Sequence, residues 1–191
     1  MVPKAKKNLH ECEYHLDKMI NSQNIEELEI NFAAFVNSAR NVTFVLQKEF
    51  NGDEAFKKWY ESKQEEMRSD ELCKFFKELR NQILKEGINK IECNTKISRL
   101  NSSSDMVDRP KNSGLVITGK GISYLINKGT SGEDLIPAKT TAQMVTTVFI
   151  KDAPQKHLGS TIQNNSIIEI SKVYNSYLKN IVEEWTGKMN K

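Results

Sequence analysis

Leu28, Phe32, Phe35, Ala39, Val42 and Leu46 recur at steps of three and four, one apolar stripe along about five turns of a helix. Asn24 followed by Glu27 has the form of a capping box at the start of that helix, and Asn51-Gly52 supplies residues suited to its end. Upstream, Leu9, Cys12, Leu16, Met19 and Ile20 predict a first helix that stops near Asn21-Ser22. Asp53 caps a third helix with Phe56, Trp59, Tyr60 and Met67 inward and its charged residues outward, as expected at a bundle edge. Ser69 is the predicted cap of a fourth, with Asp70 and Glu71 in its first turn. Its face is Leu72, Phe75, Phe76, Leu79 and Ile83, and Gly87 closes it.

After Gly87 the period drops to two. Ile91, Cys93, Thr95 and Ile97 alternate with Glu92, Asn94, Lys96 and Ser98, the pattern of a strand with one buried face. Residues 101–114 read as a mobile polar loop. Leu115-Val116-Ile117 and Ile122-Ser123-Tyr124-Leu125-Ile126 are strand-like and joined by a hairpin turn at 118–121; a second turn lies at 128–134 and another strand at 144–150. Helical spacing then returns in Ile167, Ile170, Tyr174, Tyr177, Leu178, Ile181 and Trp185. Such a stripe cannot stand in water, so this helix should pack back on the first four. The expected fold is therefore α+β and mainly α: a bundle over residues 4–87, an antiparallel sheet inserted at 88–160, and a C-terminal helix at 166–189 completing a bundle of about five helices.

Composition narrows the class. With 191 residues, 38% hydrophobic and 28% charged, the chain suits one domain or one domain with a small insertion. No window approaches the ~18 apolar residues of a membrane span, and the basic N-terminus is followed by polar residues, so a cytoplasmic protein without membrane partners is expected. Residues 1–87 carry 14 Lys and Arg against 16 Asp and Glu, and residues 88–191 carry 14 against 9, a mild basic slope toward the C-terminus. Cys12, Cys73 and Cys93 are scattered and form no C-x-x-C pair, so neither a disulfide framework nor a zinc site is indicated. His10 and His15, five apart, diverge by ~140° on a helix, and His157 stands alone; no metal and no cofactor is expected.

Gly114-Leu115-Val116-Ile117-Thr118-Gly119-Lys120-Gly121 resembles a phosphate-binding P-loop but has Gly121 where Ser or Thr must hold magnesium, and strand rather than helix follows. A hairpin is the better reading. No Ser-His-Asp or Cys-His arrangement emerges from the scattered histidines, and Tyr174, Tyr177 and Trp185 sit at core spacing.

Arg80 and Asn81 are the remaining candidates. On the fourth helix Arg80 flanks Phe76, while Asn81 lies toward the opposite side. The segment from Leu79 through Arg80, Asn81 and Lys85 to Gly87, preceded by Ser38-Ala39-Arg40-Asn41-Val42-Thr43-Phe44-Val45-Leu46-Gln47, resembles bacterial members of the HEPN (higher eukaryote and prokaryote nucleotide-binding) superfamily. These are helical bundles, commonly dimeric, whose signature is Arg, often followed by Asn, with His four to six residues after the Arg. Here Lys85 stands where the histidine would be. The resemblance implies a homodimer, a role in toxin-antitoxin or phage-defence systems, and an RNA or nucleotide-containing partner.

Cleavage by a 2′-hydroxyl needs a group titrating near neutrality and a fixed cation on the phosphate. Arg80 supplies the cation and Asn81 accompanies it as the candidate catalytic pair. Lys85 suits phosphate binding better than proton transfer, since a lysine base requires a pKa far below ~10.4. Arg40, Arg80 and Lys85 are thus the nucleic-acid-binding candidates. Three functions follow: a catalytically degenerate RNA binder, a metal-independent endoribonuclease borrowing His10 or His15, and a protein-interaction module using the sheet or the 101–114 loop.

Overall fold

Five helices form where the apolar stripes predict them: α1 (Ala5–Ile20), α2 (Ile25–Phe50), α3 (Glu54–Ser69), α4 (Glu71–Glu86) and α5 (Ile167–Met189). The computed structural model describes residues 3–87 and 91–189, so the expected start of the insertion at residue 88 lies outside the described residues. Every residue of the α2 stripe is buried, as is every residue of the α5 stripe, whereas Ile20, expected on the inner face of α1, is 49% exposed at the helix end. Asn24 accepts from the Glu27 N–H at 2.8 Å and Asp53 from the Phe56 N–H at 3.1 Å, satisfying amides that have no partner inside their helices. Gly87 ends α4 with φ +74°, a conformation that favours glycine.

The cap of α4 differs from the expected one. Asp70 holds that position, its Oδ1 accepting from the Cys73 N–H at 2.9 Å. Helix α3 continues through Ser69, which therefore belongs to its last turn, and the Ser69 hydroxyl donates back to the Glu66 carbonyl at 2.9 Å.

The chain divides into two compact units, one containing the five helices with residues 150–166, the other residues 92–149. In the first, α5 packs among the N-terminal helices. Tyr174 stacks on Phe76 of α4 with ring centroids 4.2 Å apart. Tyr177 donates to Glu66 at 2.8 Å, and Trp59 Nε1 donates to Glu184 at 2.7 Å. Phe50, Phe56, Trp59, Tyr60 and Trp185 join the end of α2, α3 and the end of α5 in one aromatic cluster.

The second unit holds small antiparallel sheets, making the fold α+β and mainly α with its sheets ahead of the C-terminal helix. β1 (Ile91–Arg99) alternates half-buried and exposed residues as its sequence predicts, and it pairs with β7 (Gln143–Ile150). Thr95 Oγ1 meets Thr146 Oγ1 at 2.7 Å, and three residues farther along β1 and back along β7, Ser98 Oγ donates to the Gln143 carbonyl at 3.0 Å; these strands run in opposite directions. β3 (Gly114–Thr118), β4 (Gly121–Ile126) and β5 (Asp134–Pro137) form a meander in which Thr118 faces Gly121. The P-loop-like residues are therefore a two-residue hairpin turn, with no helix N-terminus to face a phosphate.

Residues 101–114 are mostly turn and loop, as their polar composition predicts, with one short strand. They contain β2 (Met106–Val107), paired with β6 (Lys139–Thr140), and are organised by buried Asp105. Its carboxylate accepts from the Asn101 N–H at 2.6 Å and from the Thr141 hydroxyl at 3.3 Å. Their polarity serves internal hydrogen bonds. A last short pair, β8 (Lys156–His157) with β9 (Ser160–Thr161), belongs to the helical unit.

Close approach at Gly119 fixes one position by size. A Cβ there would collide with the Cys93 backbone carbonyl, and Thr95 Oγ1 already donates to the Gly119 carbonyl at 2.7 Å. Backbone cannot rotate away as a side chain can. Gly119→Ala is expected to destabilise residues 92–149 by about 1–3 kcal/mol, seen as faster proteolysis within that stretch than in wild type.

Candidate functional site

Four cations gather around a groove of about 440 Å³ in the helical unit: Arg40 from α2, Arg68 from α3, and Lys74 and Lys77 from α4. Glu78 is the acidic member of the lining. Each cation lies just off an apolar stripe, so burying the stripe leaves the charged flank at the groove edge. Arg40 Nη1 donates to Thr43 Oγ1 at 3.3 Å, and the Tyr60 hydroxyl donates to the Thr43 carbonyl at 3.1 Å, fixing the wall between them. Arg68 meets Glu65 at 3.5 Å on the exposed side of α3. Arg40 has no ion pair among the described residues.

Tyr174 closes the inner wall. Only 6% exposed and held by its stack on Phe76, it makes no hydrogen bond through its hydroxyl to any described residue. Burial pushes its phenol far above the ordinary value, with nearby Cys73 adding and Arg40 opposing, so the hydroxyl remains a neutral donor at physiological pH. The ring is held in the core while the residue lines the cationic cavity, so its hydroxyl is free to donate to a group bound there.

Of the sequence candidates, Arg40 lines this groove. Arg80 is half-buried farther along α4 and does not line it; its Nε is shielded from solvent and unpartnered among the described residues. Asn81 and Lys85 are exposed and likewise stand outside the lining. His10 is exposed, and His15 Nδ1 lies 3.2 Å from Asn31 Oδ1; neither histidine reaches the groove. Arg68, Lys74 and Lys77 escaped sequence reasoning because outward charges on separate helices look alike until the helices pack.

A second cluster was invisible in the sequence. Asp70, Cys73 and His157 bring carboxylate oxygen, sulfur and ring nitrogen within 4.8 Å of one another. Asp70 Oδ1 accepts from His157 Nδ1 at 3.0 Å and Oδ2 from the Leu158 N–H at 2.7 Å. The imidazole lies edge-on to Tyr177, centroids 4.9 Å apart. Burial favours the protonated form of Asp70, but the Leu158 and Cys73 amides, His157 and the Cys73 thiol outweigh it and hold the carboxyl below its ordinary value. Burial pushes the Cys73 thiol well up, reinforced by the charge of Asp70 and by the hydrogen bond the thiol gives it. A nucleophilic triad places imidazole between thiol and carboxylate; here the thiol turns to the carboxylate and stays protonated, so the cluster is not an activated nucleophile.

Helices carrying a cationic groove, with an antiparallel β insertion, define the class of protein to which these features belong. A family model described as bacteriophage lambda protein ea47 matches residues 2–180, and the chain belongs to that family. No curated protein and no solved structure matches it.

Proposed function

We propose that the helical unit binds single-stranded RNA through the groove between α2, α3, α4 and α5, as a HEPN-like protein that binds without cleaving. The observation that carries this reading is the meeting of four cations from three helices with a largely buried tyrosine in one groove. Arg40, Arg68, Lys74 and Lys77 would contact successive phosphates, and Tyr174 would donate to an oxygen at the groove floor. A cavity of about 440 Å³ has room for part of a strand rather than a duplex. No histidine lines it, and its lysines are exposed, so it offers phosphate recognition without a group poised to move the 2′-hydroxyl proton. Membership in a family described by a bacteriophage protein is consistent with a phage-related role; binding host or phage RNA in defence or toxin-antitoxin control is part of the proposal.

Fluorescence anisotropy with a labelled single-stranded RNA, over a series of salt concentrations, tests the proposal. Affinity should fall linearly on a log-log plot. Arg40→Ala should weaken binding about ten- to hundredfold and reduce the magnitude of the slope by about 0.7. Tyr174→Phe should weaken binding without changing that slope, whereas Arg80→Ala and Lys85→Ala should have far smaller effects. Absence of binding at low ionic strength would sink the reading, and shortened RNA after incubation would favour the endoribonuclease alternative.

A further inference from the structure

We infer that Asp70, Cys73 and His157 form a zinc site that clamps the chain returning from the β insertion onto the start of α4. The donor set is one carboxylate oxygen, one thiol sulfur and one imidazole nitrogen, a combination suited to zinc and poorly suited to magnesium or calcium. Asp70 and Cys73 lie in the first turn of α4, while His157 arrives from β8. Separation along the chain is what a clamp requires: one ion would tie residues that no local turn connects.

Spacing and access both fit. Ligands around a tetrahedral zinc at ~2.0–2.3 Å stand roughly 3–4 Å from one another, and the three donor atoms already converge within 4.8 Å. The hydrogen bond from His157 to Asp70, with the Cys73 thiol beside it, now occupies the space between them. Zinc would replace the protons there as the shared electrophile. Binding converts the thiol to thiolate with release of one proton to solvent, and the neutral imidazole shifts its single proton from Nδ1 to Nε2, leaving the Nδ1 lone pair to ligate the metal. Thiolate, carboxylate and Zn²⁺ together carry no net charge, so burial does not oppose the loaded state as it opposes a bare thiolate. The N-terminal end of the α4 dipole favours both anionic ligands.

A solvent-open cavity of about 270 Å³ touches the cluster through Asp70 and is lined also by Ser69, Glu71, Lys156, Leu158 and Gly159. It offers an entry path that reaches the cluster at Asp70. Asp70 keeps the oxygens' remaining lone pairs for the Leu158 and Cys73 amides, which orient the carboxylate as second partners do in protein zinc sites.

The test uses the full chain, stripped with a chelator and titrated with Zn²⁺ against a chromogenic zinc indicator, and separately with Co²⁺ as a spectroscopic stand-in. One zinc per chain is expected, together with a thiolate-to-cobalt charge-transfer band. Cys73→Ser should abolish that band, and His157→Gln should weaken zinc binding by at least about tenfold, while Cys12→Ser should change neither. Zinc should raise the melting temperature of wild type and not that of Cys73→Ser. Circular dichroism of the metal-free variants separates loss of ligand from loss of fold. Failure of wild type to take up zinc, or uptake unchanged in both Cys73→Ser and His157→Gln, would overturn the site.

Discussion

Phe56→Ala is expected to lower the stability of the helical unit by about 3–5 kcal/mol, the range for removing a fully buried phenylalanine. Phe56 is 1% exposed, and its ring lies 4.9 Å from Trp185, 5.0 Å from Tyr60, 5.5 Å from Phe50 and 5.7 Å from Trp59. These partners come from α2, α3 and α5, so no single helix can slide to fill the space. Trp185 sharpens the effect: its Nε1 is already buried without a partner among the described residues, and a cavity beside it would remove packing while leaving that cost in place. Urea denaturation should show a lower midpoint with a similar slope. Phe44→Ala is the control, since Phe44 is 56% exposed on α2 and its loss should change stability by no more than about 0.5 kcal/mol.

Asp70→Ala should cost about 2–4 kcal/mol in the metal-free chain. One part is the helix cap, worth about 1 kcal/mol. The other is the charge-assisted hydrogen bond to the Leu158 N–H at 2.7 Å in a part-buried contact, whose loss costs about 1–3 kcal/mol. Asp70→Asn separates the two. Asparagine caps helices as well as aspartate, so a capping role alone predicts little change; with one oxygen replaced by an amide facing Leu158 N–H or His157, the substitution should still destabilise.

Acid titration checks the same contact. Because the folded carboxyl lies below its ordinary value of 3.8, its stabilisation is complete above the unfolded value and is lost as pH falls through the folded one. Wild type, with chelator present, should therefore lose stability relative to Asp70→Asn across that acidic window.

What the sequence made legible was whatever is written within one helix or one strand. The α2 stripe from Leu28 to Leu46 and the α5 stripe from Ile167 to Trp185 are periodic over many turns, and all their members are buried. Caps are less legible because neighbouring residues compete: Ser69 and Asp70 both suit the position, and only the length of α3 decides between them. Residues 101–114 were legible as polar turn, but the β2–β6 pairing and the network around Asp105 were not, because their partners lie more than thirty residues away.

The functional clusters were the least legible because they are assembled from distant residues. Arg40, Arg68 and Lys77 share no local signature, and nothing near Cys73 announces His157. Arg80-Asn81 attracted attention as a pair on one helix, yet the structure gathers cations at another part of α4.

Antiparallel pairing of β1 with β7 has an evolutionary consequence. The chain leaves the helices through β1 and comes back through β7, so the base of the insertion is clasped by its own ladder. With the ends already held together, lengthening or shortening what lies between changes the closure entropy only logarithmically. Residues 92–149 thus behave as a cassette that mutation can enlarge, trim or exchange while the helices and their groove keep the same path.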